Sequence, residues 1–346
     1  MINHPKETIN IGYESLQDGN LEINEYFKSS RNNIFKVVLK DKVLILKQPD
    51  NDEKSYIETI ENEANFYSFL REENILLDSV GEFKHFDSEN KILIQESSLK
   101  YDSIESDTLT DKEKISKFIE GVTHILSQIH DRFENNEKLP SYFDTFKPTL
   151  LDKYKRPLLL EDMKKSRNKS LKDLANKIES IKDIIESIEW IDNETIIHRD
   201  IRYQNFIYNS SESKFKLIDW EMAATGDSCW DIVTFCSIIF KSIAPIGPNS
   251  LNTLLTPKNA YIIIKRIIEA YYIKRYPDKG PLPASFLKKV LRLCEINLME
   301  TYIKAFLNRG IDEGYFAVKK FTELLDTSYS DNFYLTYLNN KINESY

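Results

Sequence analysis

The run Ile196-Ile-His-Arg-Asp-Ile-Arg-Tyr-Gln-Asn-Phe-Ile-Tyr208, followed by Phe215-Lys-Leu-Ile-Asp-Trp-Glu221, reads as two buried strands, each delivering acidic and amide side chains to one cleft. These residue types suit phosphoryl transfer, a reaction carried by positioning and electrostatics. Asp200 can accept a proton from a hydroxyl nucleophile, and Asn205 and Asp219 offer the hard oxygen atoms that a magnesium ion on a nucleoside triphosphate requires. A short loop separates Asp200 from Asn205, so a base can sit beside the acceptor while the amide reaches back to a metal. Asp219 arrives from the next strand, because the apolar runs 206–208 and 215–218 flank a polar turn over 209–213 in hairpin fashion.

His198-Arg-Asp-Ile-Arg-Tyr-Gln-Asn205, then Ile218-Asp-Trp-Glu221, then Gly226-Asp-Ser-Cys-Trp-Asp231 resembles the aminoglycoside phosphotransferase and choline kinase family, a branch of the protein-kinase-like fold. The resemblance covers most of the chain. It implies an α+β fold of two lobes, a small N-terminal lobe built on an antiparallel sheet and a larger, mostly helical C-terminal lobe. It also implies that Asp200 is the catalytic base, that Asn205 and Asp219 hold Mg2+, and that Asp231 is a buried carboxylate tethering the catalytic loop through its backbone amides. Asp231 also opens a helix expected over 230–240, where the helix dipole favours a carboxylate. Arg202 departs from the His, Gly or Gln often found there in the small-molecule branch. It stands where protein kinases carry a lysine, and a guanidinium can neutralise the transferred phosphoryl group with a firmer fork.

Such a site needs elements that hold a nucleotide. Asn33–Leu39 and Val43–Gln48 read as a hairpin of β-branched and apolar residues closing on Lys47, the candidate phosphate-binding ammonium. Apolar residues at Ile57, Ile60, Ala64, Phe66, Tyr67 and Leu70 give residues 56–72 a helical repeat with one buried face. Glu63 on that helix can pair with Lys47 as the lysine and glutamate of kinases do; Glu61 competes, and register decides. Glu63 is favoured because the residues after it match the resembled family's glutamate and following leucine-like positions. The strand over 91–96 stands where that family runs its hinge, so the base of ATP or GTP would take hydrogen bonds from the backbone of Gln95, Glu96 and Ser97. No glycine-rich phosphate loop precedes it: the chain has nine glycines, none between Gly19 and Gly81. The polar turn Ser29-Ser-Arg-Asn-Asn33 is the stand-in, its side chains favouring a turn by local hydrogen bonding.

From about Asp111 the pattern turns helical. Residues 115–133 carry an amphipathic repeat, in which His124 and His130 are read as packing residues. Residues 164–191 form a second, highly charged helical stretch, 245–257 a Pro, Gly, Ser and Asn-rich loop, and 261–276, 285–307 and 312–325 further helices. In the resembled family this C-terminal region walls the acceptor pocket. Glu295, Glu300, Asp312 and Glu313 are carboxylates within reach of that role, though acidic residues on helices are usually solvated. The expected division is a nucleotide-binding lobe over 1–98 and a catalytic and acceptor-binding lobe over 99–346.

Composition narrows the function classes. With 346 residues, 41% of them hydrophobic, the chain can bury substantial cores. A net charge of −8 argues against a nucleic-acid partner, which would need a basic footprint, and is compatible with a cationic small-molecule acceptor. Cys229, Cys236 and Cys294 lack metal-ligand spacing, and no apolar run approaches a membrane span. A cytoplasmic protein without a membrane partner is expected. Three functions remain: a small-molecule kinase, a Ser/Thr peptide or protein kinase, and a non-catalytic nucleotide-binding module. Only eleven residues, 220–230, separate Asp219 from Asp231, which leaves no room for an activation segment and a peptide platform. A lost base or metal ligand would favour the binding module, and both are present. The small-molecule kinase is therefore favoured.

Overall fold

The computed structural model describes residues 23–28, 31–38, 43–75, 78–97, 102–103, 111–148, scattered positions between 161 and 179, 194–243 and 257–309. The fold is α+β, an antiparallel sheet in the N-terminal region followed by a mainly helical C-terminal portion. Five strands, β1 (Ile23–Lys28), β2 (Asn32–Val38), β3 (Val43–Pro49), β4 (Glu82–Asp87) and β5 (Ile92–Ser97), pair in the order β1-β2-β3-β5-β4. Every pair is antiparallel.

Register gives the sheet two chemically distinct faces. Phe35 and Val37 lie opposite Leu46 and Leu44, and Leu46 lies opposite Ile94, so one face collects Phe35, Val37, Leu44, Leu46, Ile92 and Ile94 as an apolar cluster. The strand period of two turns Ile45, Lys47, Leu93 and Gln95 to the other face. Helix α1 (Lys54–Glu72) buries Ile60, Glu63, Ala64, Tyr67 and Leu70, a stripe at helical spacing, and this stripe brings Glu63 to that second face. The helix stops because Asn74 takes a left-handed conformation (φ 53°). The amides of Asn74 and Ile75 then return to the carbonyls of Arg71 and Leu70 at 3.1 and 2.8 Å, closing the orphan ends of the last turn.

Two compact units can be traced by contact density. Among the described residues, one gathers those up to 103 with 137–144 and 198–224; the other comprises those of 111–136, 145–197 and 225–309. Within the first, α3 (Leu139–Tyr142) lies against α1 through Phe69, whose ring is 4.9 Å from Tyr142 and 5.9 Å from Phe143. A three-stranded sheet joins β6 (Asp102–Ser103), β8 (Phe206–Asn209) and β9 (Lys214–Leu217). The β8–β9 hairpin turns on Asn209, whose Oδ1 accepts from the amides of Ser211 and Glu212.

In the second unit α2 (Lys112–Phe133) begins at Asp111, whose carboxylate caps the amides of Glu113 and Lys114, and buries Ile115, Phe118, Ile119, Val122, Ile125, Leu126, Ile129 and Phe133. β7 (Glu194–Ile197) pairs with β10 (Ala224–Asp227), and α4 (Cys229–Ile243), α5 (Pro257–Arg275) and α6 (Ala284–Arg309) complete the helices. His130 is fully buried, bonded through Nε2 to Asp231 at 3.1 Å and through Nδ1 to the Tyr271 hydroxyl at 2.7 Å. His124 corrects the packing expectation: one helical step away from the buried stripe, it is exposed. A cavity of about 280 Å³ lies among Tyr272, Tyr276, Phe286, Lys279 and Lys289. Lys289 is paired there with Asp227 at 2.8 Å, and the Lys279 ammonium lies over the Tyr276 ring. Among the described residues no helix is long and apolar enough to cross a membrane. Most of 164–191, the 245–256 loop, the helix expected at 312–325 and the carboxylates Asp312 and Glu313 lie outside the described residues, and Glu300 is buried.

Candidate active site

The candidate residues come from four places in one compact unit. Lys47 lies two residues before the end of β3, Glu63 sits mid-way along α1, Asp200 and Asn205 lie between β7 and β8, and Asp219 follows β9. The short loop expected between Asp200 and Asn205 is present: the chain leaves β7 at His198 and passes through a loop and a 3₁₀ turn over Tyr203–Asn205 before β8. This loop lets side chains converge, where a continuous strand would alternate them across two faces.

The loop is held from within. His198 is buried; its Nε2 lies 3.0 Å from the Ile218 carbonyl and its Nδ1 accepts the Asp200 amide at 3.3 Å, which assigns the Nε2–H tautomer. Asn205 donates Nδ2 to the Asp200 carbonyl at 2.7 Å and to Asp200 Oδ2 at 3.1 Å, while its own carbonyl accepts the Ile218 amide at 2.8 Å. The amide nitrogen of Asn205 therefore faces Asp200, and Oδ1 is the atom turned to other use. Arg202 Nη2 reaches the same Asp200 oxygen at 2.7 Å. Both restraints fall on Oδ2, so the carboxylate is oriented with Oδ1 opposite.

Asp219 carries backbone strain. It adopts φ 70°, ψ 57°, as Arg199 adopts φ 68°, and left-handed geometry is uncommon for residues with a Cβ. The 3₁₀ turn Trp220–Met222 that follows is fixed by packing: Trp220 stacks on Phe66 of α1 with centroids 3.9 Å apart, and Asn62 Nδ2 donates to the carbonyls of Glu221 and Ala223. These contacts hold the strained residue in place.

Lys47 sits between two carboxylates. Its ammonium is 2.9 Å from Glu63 Oε2, 3.0 Å from Glu63 Oε1 and 2.6 Å from Asp219 Oδ1. Glu61, the competitor, is turned outward and pairs with Lys91 at 2.8 Å. Burial alone would lower the lysine's pKa, but Asp219 and Glu63 outweigh it and raise it, so the ammonium stays charged. Burial likewise works to raise Asp219; Lys47, with help from Arg202, reverses this and holds it below the usual carboxylate range. For fully buried Glu63 burial wins over Lys47, Asp219 adds repulsion, and its pKa is raised.

Gln95 adds a contact that sequence reasoning had left to the backbone. Its side chain is buried and donates Nε2 to Glu63 Oε1 at 3.0 Å. Glu96 points to the opposite face and pairs with Lys84 at 2.8 Å, and Ser97 ends β5 opposite Val43. Of the polar turn, Ser29 and Ser30 lie outside the described residues. Arg31 and Asn32 close onto Glu221, at 3.2 Å to Oε1 and 3.1 Å to Oε2. Arg31 and Glu221 belong to the polar turn and to the Ile-Asp-Trp-Glu motif, whereas Asn62 is a contributor that the motifs did not single out. Among the described residues no three His, Cys, Asp or Glu side chains form a metal cluster. An amide oxygen and an ionised carboxylate suit magnesium, which keeps waters and substrate phosphates as its other ligands.

The model of the phosphotransferase enzyme family, APH, matches residues 25–250. The chain belongs to this family. The matched span includes the five-stranded sheet from the third residue of β1, α1, and the loop and hairpin carrying Asp200, Asn205 and Asp219. Among solved structures, this phosphotransferase is similar to a choline kinase from Cryptosporidium parvum at 15% identity and TM-score 0.65, over 99% of this chain and 100% of that one. It is also similar to the choline kinase LicA from Streptococcus pneumoniae, at 16% identity and TM-score 0.56 over 94% and 100% of the two chains. A third likeness is to APH(2")-IIa in complex with gentamicin, at 15% identity and TM-score 0.58 over 93% and 97%. At these identities the likeness is one of fold. Comparison with curated protein sequences finds no match.

Proposed function

We propose that this phosphotransferase is a small-molecule kinase that moves the γ-phosphoryl group of ATP or GTP to the hydroxyl of a small acceptor, in the manner of aminoglycoside and choline kinases. The observation that carries the reading is the oriented Asp200 carboxylate: Arg202 and Asn205 restrain Oδ2, which leaves Oδ1 to accept a proton. The acceptor oxygen attacks the γ-phosphorus in line, its proton passing to Asp200 Oδ1 as the new O–P bond forms. The bond from the γ-phosphorus to the bridging oxygen breaks, and the nucleoside diphosphate leaves. Lys47 offsets charge on the phosphate oxygens, and Arg202 does so on the transferred group. Asn205 Oδ1 and Asp219 would hold Mg2+, which supplies charge neutralisation to the phosphates when bound. Gln95, Glu96 and Ser97 edge the expected base site, Gln95 through Glu63 as well.

The short interval after Asp219 supports a small acceptor over a peptide. Residues 220–230 are taken up by the 3₁₀ turn, β10 and the start of α4. The test is magnesium-dependent release of ADP or GDP across aminoglycosides, choline-like alcohols, sugars, nucleosides and Ser/Thr peptides, with Asp200→Asn as control. Release stimulated by a small alcohol and lost in the control, with nucleotide binding retained, is the expected result. Stimulation by peptides alone would replace the reading with a peptide kinase. Turnover undiminished in Asp200→Asn would remove this residue as the base.

A further inference from the structure

Glu63 is fully buried, and three hydrogen bonds reach its carboxylate: one to each oxygen from the Lys47 ammonium, and one from Gln95 Nε2 to Oε1 at 3.0 Å. Burial is the largest influence on this carboxylate and works to protonate it; Lys47 and Gln95 work to keep it ionised. The ammonium is already divided, since Asp219 holds it at 2.6 Å, closer than either oxygen of Glu63. A triphosphate would divide it again. Among the described residues, Gln95 is then the partner of Glu63 whose bond draws nothing from the lysine.

The sheet places Gln95 for this task. It stands opposite Ile45 of β3, two residues before Lys47, so the strand period turns both side chains toward α1. A carboxylate only accepts hydrogen bonds, so the amide nitrogen is the end of Gln95 that faces Glu63. The side chain is buried, and the Tyr67 hydroxyl, one helical turn beyond Glu63, lies in the same buried layer, where both Gln95 and Glu63 act on it. The base of a nucleotide is expected at the backbone of β5, which leaves the Gln95 amide to the ion pair.

We infer that Gln95 is a positioning residue for the donor phosphates: its amide holds Glu63 against Lys47, and through that pair it fixes the ammonium where a triphosphate would meet it. This rests on the reading that the site takes a nucleoside triphosphate. The side chain then matters to the phosphate end of the nucleotide and not to the base, although the backbone of the same residue edges the base site. Its bond counts most when the ammonium also serves the phosphates. Glu63 then keeps a smaller share of Lys47, and the buried carboxylate depends on the amide that remains.

Calorimetric titration with magnesium ATP and magnesium GTP, and with adenosine and guanosine as phosphate-free controls, separates the two ends of the nucleotide and needs no acceptor. Gln95→Met keeps the length of the side chain and removes the donor. It is expected to weaken triphosphate affinity about tenfold, the scale of a hydrogen bond to a charged group, and to leave nucleoside affinity unchanged. In a Glu63→Gln background the same substitution should change triphosphate affinity by less than about twofold, since Gln95 acts through the carboxylate. Gln95→Leu repeats the reading with a different shape, should the methionine variant fail to fold. Triphosphate affinity that survives Gln95→Met, even with a lower melting temperature, overturns the assignment by making the bond purely structural. Equal losses for triphosphate and nucleoside overturn it in favour of a base contact, and a full tenfold loss in the Glu63→Gln background overturns it by removing Glu63 as the route. Wild-type protein that binds neither triphosphate would overturn the kinase reading itself, and it would register before any variant is compared.

Discussion

Lys47→Met isolates the electrostatics of the buried cluster. Removing the ammonium leaves Glu63 with its burial and with repulsion from Asp219, the two causes that already raise its pKa. At neutral pH the variant should be less stable by about 3–5 kcal/mol, the range for breaking a buried pair from one side. A folded pKa above the unfolded value means that the folded variant binds the extra proton. Its stability relative to wild type should therefore recover as pH falls through that raised pKa, and level off below about 4.3, the unfolded value. Melting temperatures of both proteins from pH 8 to 4 check this, and a gap that stays constant or widens toward acid would contradict it. Arg202→Ala should separate differently: its pair with Asp200 is half exposed, so a stability change within about 0.5 kcal/mol should accompany a fall in turnover. Equal kcat in the variant would detach Arg202 from the chemistry. The residues readable from sequence were those whose type and close spacing serve one reaction, as in His198 to Asn205. Register along α1 separates Glu63 from Glu61: Glu63 lies on the buried stripe with Ile60, Ala64 and Tyr67, whereas Glu61 lies off it. The pairing of Arg31 with Glu221 had no such signal, because the two meet across 190 positions.

At the scale of elements, strong periodicity was legible and context was not. The hairpin over β2 and β3, the strand β5 and the helices α1 and α2 follow from apolar repeats. β4, with the sequence Glu-Phe-Lys-His-Phe-Asp, and β10, with Ala-Thr-Gly-Asp, carry residues depleted in strands, and they pair because neighbouring strands are already in position. β10 needs its glycine for space. A Cβ on Gly226 would lie 2.6 Å from Cδ1 of Ile197, a fully buried residue of β7. Gly226→Ala should therefore cost about 1–3 kcal/mol from overpacking. Ile197→Val, which deletes Cδ1, should cost about 0.5–1.5 kcal/mol alone. The double variant should lose less than the two costs together, since each change relieves the other. Denaturant unfolding of the four proteins provides the cycle, and strict additivity would show that another contact limits this pair.

At the scale of the whole molecule, the candidate site is assembled by segments far apart in the chain. The unit containing it joins described residues up to 103 with 137–144 and 198–224. Nothing in Leu139-Pro-Ser-Tyr142 announces its place beside α1; that placement comes from Phe69 between Tyr142 and Phe143 and from the bond of Tyr142 to Glu72. Long-range closure of this kind depends on which surfaces remain uncovered once the local elements form, and local patterns do not carry it. It has a measurable consequence for ligand binding. A magnesium nucleotide at a hundred times its dissociation constant should stabilise the fold it binds by about 2.7 kcal/mol, slowing the most protected amides of that fold by about a hundredfold. In hydrogen exchange the added protection should appear together in β3, in α1 around Glu63, and in the stretch from His198 to Met222, despite their separation in sequence. The amides of α5 and α6, which belong to the other compact unit, should change less. Chelation of the magnesium should return the three stretches to their nucleotide-free rates together, because Asn205 and Asp219 of the third would share one ion, and Lys47 of β3 ties Asp219 to Glu63 of α1. Protection confined to one stretch, or strongest in α5 and α6, would mean that the nucleotide binds elsewhere or that these residues do not act as one site.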